Sequence, residues 1–528
     1  MKKLATLMLA AAILLGGSQV ALAIDFNIKG AWQFSFDYLN GGNFMGKYRN
    51  GKRTIGQQWA PIRQQRDNFE ALSRVHLQLN AKASENLSGT VFLEIGESRW
   101  GMASSGGALG ADSTNVIKLK QAYLDWGVPD TTLKVRMGIQ GFALPSTAVT
   151  SPILQTDVAG ITASYTFNDT VGATAFWLRP LNDNYTDTSN SARDGYMDNF
   201  DLGGLTIPLT FDGLKLTPWG MGGAMGPNAL SHPSQKRPGG SMALTPTALP
   251  ITGQALDGRS MRDGLYPAAF TTGRRASDIF STEYSTMWWA GITGRWTTFE
   301  PFRVLFDFAY GDVDNGREYL NRHGWYAMVV AEYALDWALP GIYGWYFSGD
   351  DDNPHNGSER MPWISTSNNL DNSLSTFGFR GNPIMGGGKG VINANPTGTW
   401  GVGARVRNMS FLENLSHTVL VNVFSGSNSP TMAGYITGRR ATQGDRTTWR
   451  NNTDFNSFGT YLTTNDAGIE VDLDTHYKMY DNLTFYLGLG YIHLWLDKDT
   501  WGRYENVAGN SLNVKDAWKA SLNVIYSF

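Results

Sequence analysis

From Glu470 to Lys478 every second residue carries a titratable group. Glu470, Asp472, Asp474, His476 and Lys478 alternate with Ile469, Val471, Leu473, Thr475 and Tyr477. A period of two places the five polar groups on one face of a strand and their neighbours on the other. Three carboxylates, an imidazole and an ammonium would be ruinous in a dry core, where a charge loses its hydration. Against water they are at ease, and fixed charges on a wetted wall steer ions. Signatures of catalysis are missing: the chain has no phosphate-cradling glycine loop, no H-E-x-x-H, no G-x-S-x-G and no Cys/His metal spacing. His76, His232, His355, His476 and His493 have no triad partner by sequence.

Two loops offer other chemistry. In the run Ser348 to Glu359, Asp350, Asp352 and Asn356 space their oxygens as a hard cation such as Ca²⁺ requires, which takes roughly six to eight oxygen ligands. The Gly and closing Glu of an EF-hand are absent at their offsets, so the run reads either as a weak structural Ca²⁺ site or as a solvated acidic loop. No other cofactor is implied. From Phe142 to Asp157 the character changes: Leu144, Pro145, Ile153 and Leu154 mix with Ser146, Thr147, Thr150, Ser151 and Gln155, and Asp157 is the single charge.

These groups need walls to hold them, and alternation recurs along the chain. At the C-terminal end Trp518, Ala520, Leu522, Val524, Tyr526 and Phe528 share one face, Lys519, Ser521, Asn523 and Ser527 the other, with Ile525 out of phase. Aromatics at both ends of the apolar face match a lipid-facing strand between two girdles. Near the other terminus Phe26, Ile28, Trp32, Phe34, Phe36 and Tyr38 alternate with Asp25, Asn27, Lys29, Gln33, Ser35 and Asp37. Two such strands can pair with each other and abolish the exposed edge.

Residues 1–23 read as a cleaved signal peptide: Lys2 and Lys3, an apolar run from Leu4 to Leu15, then Ala21-Leu22-Ala23. Residues 24–528 remain as a single domain, and losing the two lysines moves the formal charge from −3 to −5. No later run approaches ~18 apolar residues, so no spanning helix is expected. Yet 18 Trp, 22 Tyr and 26 Phe coexist with a mean hydropathy of −0.27, as expected where half of each strand is wet. The absence of Cys excludes disulfides and thiol chemistry.

Short turns are expected at 84–86, 129–130, 168–169, 212–213, 300–301, 340–341 and 480–482, with a slightly longer one at 408–415. Long polar loops lie near 39–67, 97–115, 142–157, 180–196, 223–284, 312–324, 349–397, 426–466 and 497–516. Eight turns and nine loops make eighteen strands. Sixteen is the alternative, because 197–222 and 342–348 alternate poorly. The expected fold is therefore all-β: a transmembrane antiparallel up-and-down β-barrel with short periplasmic turns and long extracellular loops.

The run Leu133-Lys134-Val135-Arg136-Met137-Gly138-Ile139-Gln140-Gly141-Phe142-Ala143-Leu144-Pro145 resembles the fifth strand of trimeric general porins, with its Gly-x-Gln ending before the third loop. Over the whole mature length the chain is most similar to the homotrimeric porins of anaerobic sulfate-reducing bacteria, and a C-terminal aromatic such as Phe528 resembles the assembly signal of outer-membrane barrels. The resemblance implies a water-filled channel in the bacterial outer membrane for passive diffusion of small hydrophilic solutes and ions. It implies partners too: two further copies in a homotrimer, outer-membrane lipid, the assembly machinery through the last strand, and the solutes, but no nucleic acid. In that family the third loop folds inward, which makes Leu144, Pro145, Ser146, Thr147, Thr150, Ser151, Gln155 and Asp157 the expected pore constriction. An eighteen-strand count is more typical of sugar-specific porins than of general ones. The alternatives are a sugar- or anion-specific channel and, from another class, an adhesin or an enzyme on a closed barrel.

Inward charges are expected to divide between two arcs of the wall. Arg74, Lys120 and Arg136 lie on early strands, with Glu94 the exception; Asp307, Glu332, Asp472 and Asp474 lie on later ones. With few acids in the narrowing loop, a weak anion preference follows. Trp325, Tyr333 and Trp337 fall in the lipid-facing phase, and Tyr326, Tyr346 and Tyr486 in the lumen-facing one. Outward positions at 71–95 and 158–177 are small, Ala81, Gly89, Ala163, Ala173 and Ala175 among them, and suit a close contact between subunits.

Overall fold

The computed structural model describes residues 24–40, 68–102, 106–109, 117–182, 199–226, 264–267, 284–366, 396–436, 461–497, 499–500 and 516–528. Residues 1–23, expected as a signal peptide, and much of the expected long loops lie outside the described residues.

Alternating sequence becomes strand after strand. The first ten are β1 (Asp25–Asn40), β2 (Asn68–Ser84), β3 (Leu87–Arg99), β4 (Ile117–Gly127), β5 (Lys134–Ala143), β6 (Leu154–Thr166), β7 (Gly172–Asn182), β8 (Asn199–Thr206), β9 (Leu209–Phe211) and β10 (Leu214–Met225). There follow β11 (Ser285–Trp296), β12 (Phe302–Asp314), β13 (Arg322–Tyr333), β14 (Leu339–Phe347), β15 (Ser365–Thr366), β16 (Thr399–Leu412), β17 (Leu415–Gly426), β18 (Ala467–Tyr480), β19 (Leu483–Trp495) and β20 (Ala517–Ser527). β8 and β9 are one wall strand interrupted at Ile207-Pro208, both paired with β10, since proline brings no N–H to the ladder. β15 stands apart from the wall and pairs only with β6, in parallel. The wall thus has eighteen antiparallel strands, and β14 pairs directly with β16.

β1 closes the barrel against β20 over Ala31↔Ser527 to Asn40↔Trp518. Gly30 and Phe528 exchange both backbone hydrogen bonds at 3.0 Å, and the Phe528 ring lies 5.0 Å from that of Trp32. Every edge is consumed, as a sheet surrounded by hydrocarbon requires. The outer face carries exposed Trp32, Trp288, Phe308, Val329, Leu489 and Tyr526. Among the described residues no helix is long and apolar enough to cross a membrane; the exposed apolar residues of the outer face belong to strands.

The expected turn at 340–341 lies elsewhere. The chain reverses at 334–338, where Leu335 N–H donates to Ala338 O, and Pro340 and Gly341 belong to β14. Pairing of β14 with β13 begins at Gly341, so Pro340 is spared a donor it cannot supply.

The interior is divided rather than uniformly wet. From β7 to β14 the inward positions are largely apolar: Leu178, Phe200, Met221, Trp289, Met328 and Trp345 are all buried. They form one cluster with Leu144, Val149, Ile153 and Leu154 of the 142–157 loop and with Met361 and Ile364. A strand with lipid on one side and this cluster on the other is apolar in both phases, which is why 197–222 and 342–348 alternate poorly. Tyr346 follows from the same cause: it faces outward, stacked on Trp325 at 4.7 Å, while Tyr343, Trp345 and Phe347 point inward.

Candidate functional site

The inward faces of β16 to β20 and of β1 to β6 carry the polar groups. On the β2–β4 wall one carboxylate gathers the cations. Glu94 Oε1 lies 3.0 Å from Lys118 Nζ; its Oε2 lies 3.0 Å from His76 Nε2 and 3.6 Å from both Arg74 Nη1 and Lys120 Nζ. Arg74 also meets Glu97 at 3.4 Å, and Lys120 meets Asp157 at 3.6 Å. Gln121 Nε2 donates to Asp157 at 2.7 Å and ties the base of the 142–157 loop to β4. Arg136 sits close to the 128–133 turn, forked onto Asp125 at 2.7 and 3.0 Å with its guanidinium 4.1 Å from the Tyr123 ring centre. The expected cationic arc is therefore matched by acids on adjacent strands; Arg136 lies near the turn rim rather than at mid-depth.

The 142–157 loop crosses to a distant part of the wall. Asp307, in the inward phase of β12, accepts Ser146 Oγ at 2.8 Å, Thr147 N at 2.7 Å and Ala148 N at 2.9 Å, and Thr293 Oγ on β11 also donates to it. Asp307 is 2 % exposed. Expected as a pore-wall charge, it has its lone pairs taken by the loop, whose bend at 147–148 aims two successive N–H groups at one carboxylate. Leu144 and Ser151 are buried, Ser151 Oγ accepting from the N–H groups of Ile153 and Leu154 at 3.4 Å. Pro145, Thr150, Gln155 and Asp157 are half-buried.

A second loop joins the first. Residues 348–366, expected outside as the start of an external loop, turn inward at their end: Ile364 N–H donates to Ile153 O at 2.9 Å, and Ser365 and Thr366 pair with Leu154 and Gln155. Fully buried Arg322 holds this segment by donating to Arg360 O, Tyr266 O and Met361 O at 2.9, 3.1 and 2.9 Å. The three suggested Ca²⁺ ligands differ in their surroundings. Asp350 is buried and accepts from Ser358 Oγ and from Tyr461 OH at 2.6 Å, while Asn356 Nδ2 donates to Asp351 at 2.9 Å and Asp352 is exposed. Among the described residues no group of three or more His, Asp or Glu is placed to hold a metal. Burial, with Asp350 and Asp351 nearby, pushes the Glu359 carboxyl up despite an N–H donated by Asp351.

Glu332, expected on an acidic arc, is enclosed by arginines. Its oxygens meet Arg303 Nε at 2.8 Å, Arg405 Nη2 at 2.7 Å and Arg407 Nη2 at 2.7 Å. Sequence reasoning passed over these three, although the alternation of β16 already put Arg405 and Arg407 in one phase. Glu470, Asp472 and Asp474 lie buried in the inward phase of β18, where Asn422 Nδ2 donates to Glu470 at 3.5 Å and Asn422 Oδ1 accepts from Tyr343 OH.

No family model matches the chain, and no curated protein matches it. Among solved structures it is similar to Pseudomonas aeruginosa OccK9 (OpdG), at 11 % identity over 96 % of this chain and 98 % of that one, with a TM-score of 0.49. It is similar to P. aeruginosa OprD at 9 % identity over 96 % and 95 %, TM-score 0.47. It is also similar to P. aeruginosa OccK2 (OpdF), solved in complex with glucuronate, at 8 % identity over 95 % and 98 %, TM-score 0.48. With identities and scores this low, function has to be read from the chain's own geometry.

Proposed function

We propose that this chain is a porin of the bacterial outer membrane, passing small hydrophilic solutes and ions by diffusion. One observation carries the reading: a closed eighteen-strand wall, apolar outside and partly ionic inside, is crossed by a loop anchored to Asp307. A closed barrel satisfies every backbone group without water, and its charged inner face gives hydrated solutes a route through hydrocarbon. The loops 142–157 and 348–366 occupy the β7–β14 side and leave the polar arc from β16 round to β6 for permeation. Selection is geometric and electrostatic, without a catalytic step or cofactor. The porin is a homotrimer, joined through the small outward residues of β2, β3, β6 and β7 and assembled through its last strand and Phe528.

Single-channel recording in planar bilayers tests this. Discrete ohmic steps in KCl from purified, correctly folded protein are expected; barrels that insert and never conduct would end the reading. A saturable block by one solute class would move it to a substrate-specific channel.

A further inference from the structure

His76 lies in the inward phase of β2, and its register partner on β3 is Glu94. The two meet at 3.0 Å, Nε2 to Oε2, with the imidazole 18 % exposed and the carboxylate 6 %. The Phe92 ring stands edge-on behind the imidazole at 5.0 Å. Among the described residues the charged neighbours are Arg74 on the same strand, Glu94 and Glu97 on β3, and Lys118 and Lys120 on β4. On β1, where Ala31 is the register partner of His76, the next inward residues are Lys29 and Gln33.

Lys120 is the member that leads away from this group. Its Nζ lies 3.6 Å from Glu94 Oε2 and 3.6 Å from Asp157 Oδ2, so one ammonium is divided between two carboxylates. Asp157 ends the 142–157 loop, and Gln121 Nε2 already ties its Oδ1 to β4 at 2.7 Å. The lumen wall and the base of the narrowing loop therefore compete for the same cation.

A proton on His76 would settle that competition. Histidine is the side chain whose charge ordinarily changes between pH 5 and 8. A neutral imidazole donating from Nε2 leaves Glu94 its full charge to hold Lys120. An imidazolium makes a stronger, charge-assisted bond to Oε2 and repels the ammonium that shares this oxygen. With the two distances equal, Lys120 then passes to Asp157, on the side where Gln121 already holds the loop.

We propose that His76, Glu94 and Lys120 form a proton-operated relay that tightens the base of the 142–157 loop at acid pH. A firmer base holds the loop steady across the lumen, so the open channel becomes quieter and conducts less. His76 and Lys120 both keep part of their surface exposed, which gives protons from the lumen a way in. The relay rests on the pore reading above.

Single-channel current at pH 7.5 and pH 5.5 tests it. The recordings use 1 M KCl, where a screening length of about 3 Å damps the direct pull of a new lumen charge on passing ions. In wild type, open-channel noise should be halved and conductance lowered at the acid pH. His76→Gln keeps a donor toward Glu94 but cannot titrate, and should behave alike at both pH values. Lys120→Gln should lose the response although His76 still titrates, and Lys120→Arg should keep it. His493→Gln, in the outward phase of β19, is the control and should respond like wild type. Should either glutamine variant fail to assemble, His76→Asn and Lys120→Met take its place. A response that survives in His76→Gln overturns the relay. So does one lost in His76→Gln yet intact in Lys120→Gln, which marks a direct effect of the imidazolium on ions. A conducting wild type indifferent to pH also overturns it and leaves the pore reading standing. A wild type that never conducts removes both.

Discussion

Asp307 is where a single side chain does most. Four donors converge on it, two of them backbone N–H groups from a loop about 160 residues away in sequence. Asp307→Ala leaves the Thr147 and Ala148 N–H groups buried without acceptors, at roughly 1–3 kcal/mol for each orphaned group. We expect larger unitary conductance and noisier open-channel current from a barrel that still resists detergent at room temperature. Unchanged conductance and noise would mean that the carboxylate only fills space. Glu359 gives the pH counterpart. Its carboxyl is raised by burial, so the folded loop binds more protons than the unfolded one. The loop's packing is then firmest at acid pH and loses stability as pH rises through that raised value. Amide-exchange protection over 358–364, corrected for intrinsic rates, should be higher at pH 5 than at pH 7.5 in wild type and equal in Glu359→Gln. A difference that survives the substitution assigns the effect elsewhere.

At the scale of the element, large inward side chains lie flat over a glycine on the next strand. Tyr343 on β14 crosses Gly403 of β16 to reach Asn422 on β17, and Trp345 lies over Gly401. Glu332 likewise reaches Arg405 past Gly341, where a Cβ would stand 2.8 Å from Glu332 Cγ. Gly403→Ala puts a methyl into the Tyr343 ring and the Asn422 amide, an overpacking that costs about 1–3 kcal/mol. A lower unfolding temperature in detergent, without loss of the barrel's strand signal by circular dichroism, is expected; an unchanged temperature would show that the ring moves freely. The loop is the second element to test. Deleting Ser146 to Ile153 removes both the anchor to Asp307 and the Ile153 carbonyl that receives Ile364. Conductance should rise and larger polyethylene glycols should enter. A correctly assembled deletion with wild-type conductance would show that the constriction lies elsewhere.

On the whole-molecule scale the outer face is uneven. Ala163, Ala173 and Ala175 pave one side, where Ala163 and Ala175 are register partners, and Trp288, Phe302 and Phe308 cover another. Small residues let two walls approach, whereas large aromatics suit lipid and its interfaces. Cysteine at position 173 should therefore crosslink neighbouring copies far more efficiently than cysteine at 306, as read by mass on a denaturing gel. Capture from Phe306→Cys alone would reverse the assigned faces. Charge is gathered locally as well: Glu94 and Glu332 each collect several cations.

What the sequence settled by itself was the wall. A period of two is a local property, and a one-residue slip would put each lumen charge into lipid, so eighteen strands, their inward phase at β18 and β20, and the meeting of β1 with β20 could all be read from residue order. The positions Ser146 and Thr147 could be picked as loop residues for the same reason. What they touch could not, since a carboxylate on β12 and a loop between β5 and β6 share no sequence signal, only space inside a closed barrel. The same limit hid the inward course of Met361 and Ile364, the inner apolar cluster and the arginines around Glu332. Those contacts depend on which strands curvature and register bring together across the lumen and along its rows, and the tertiary structure alone decides that.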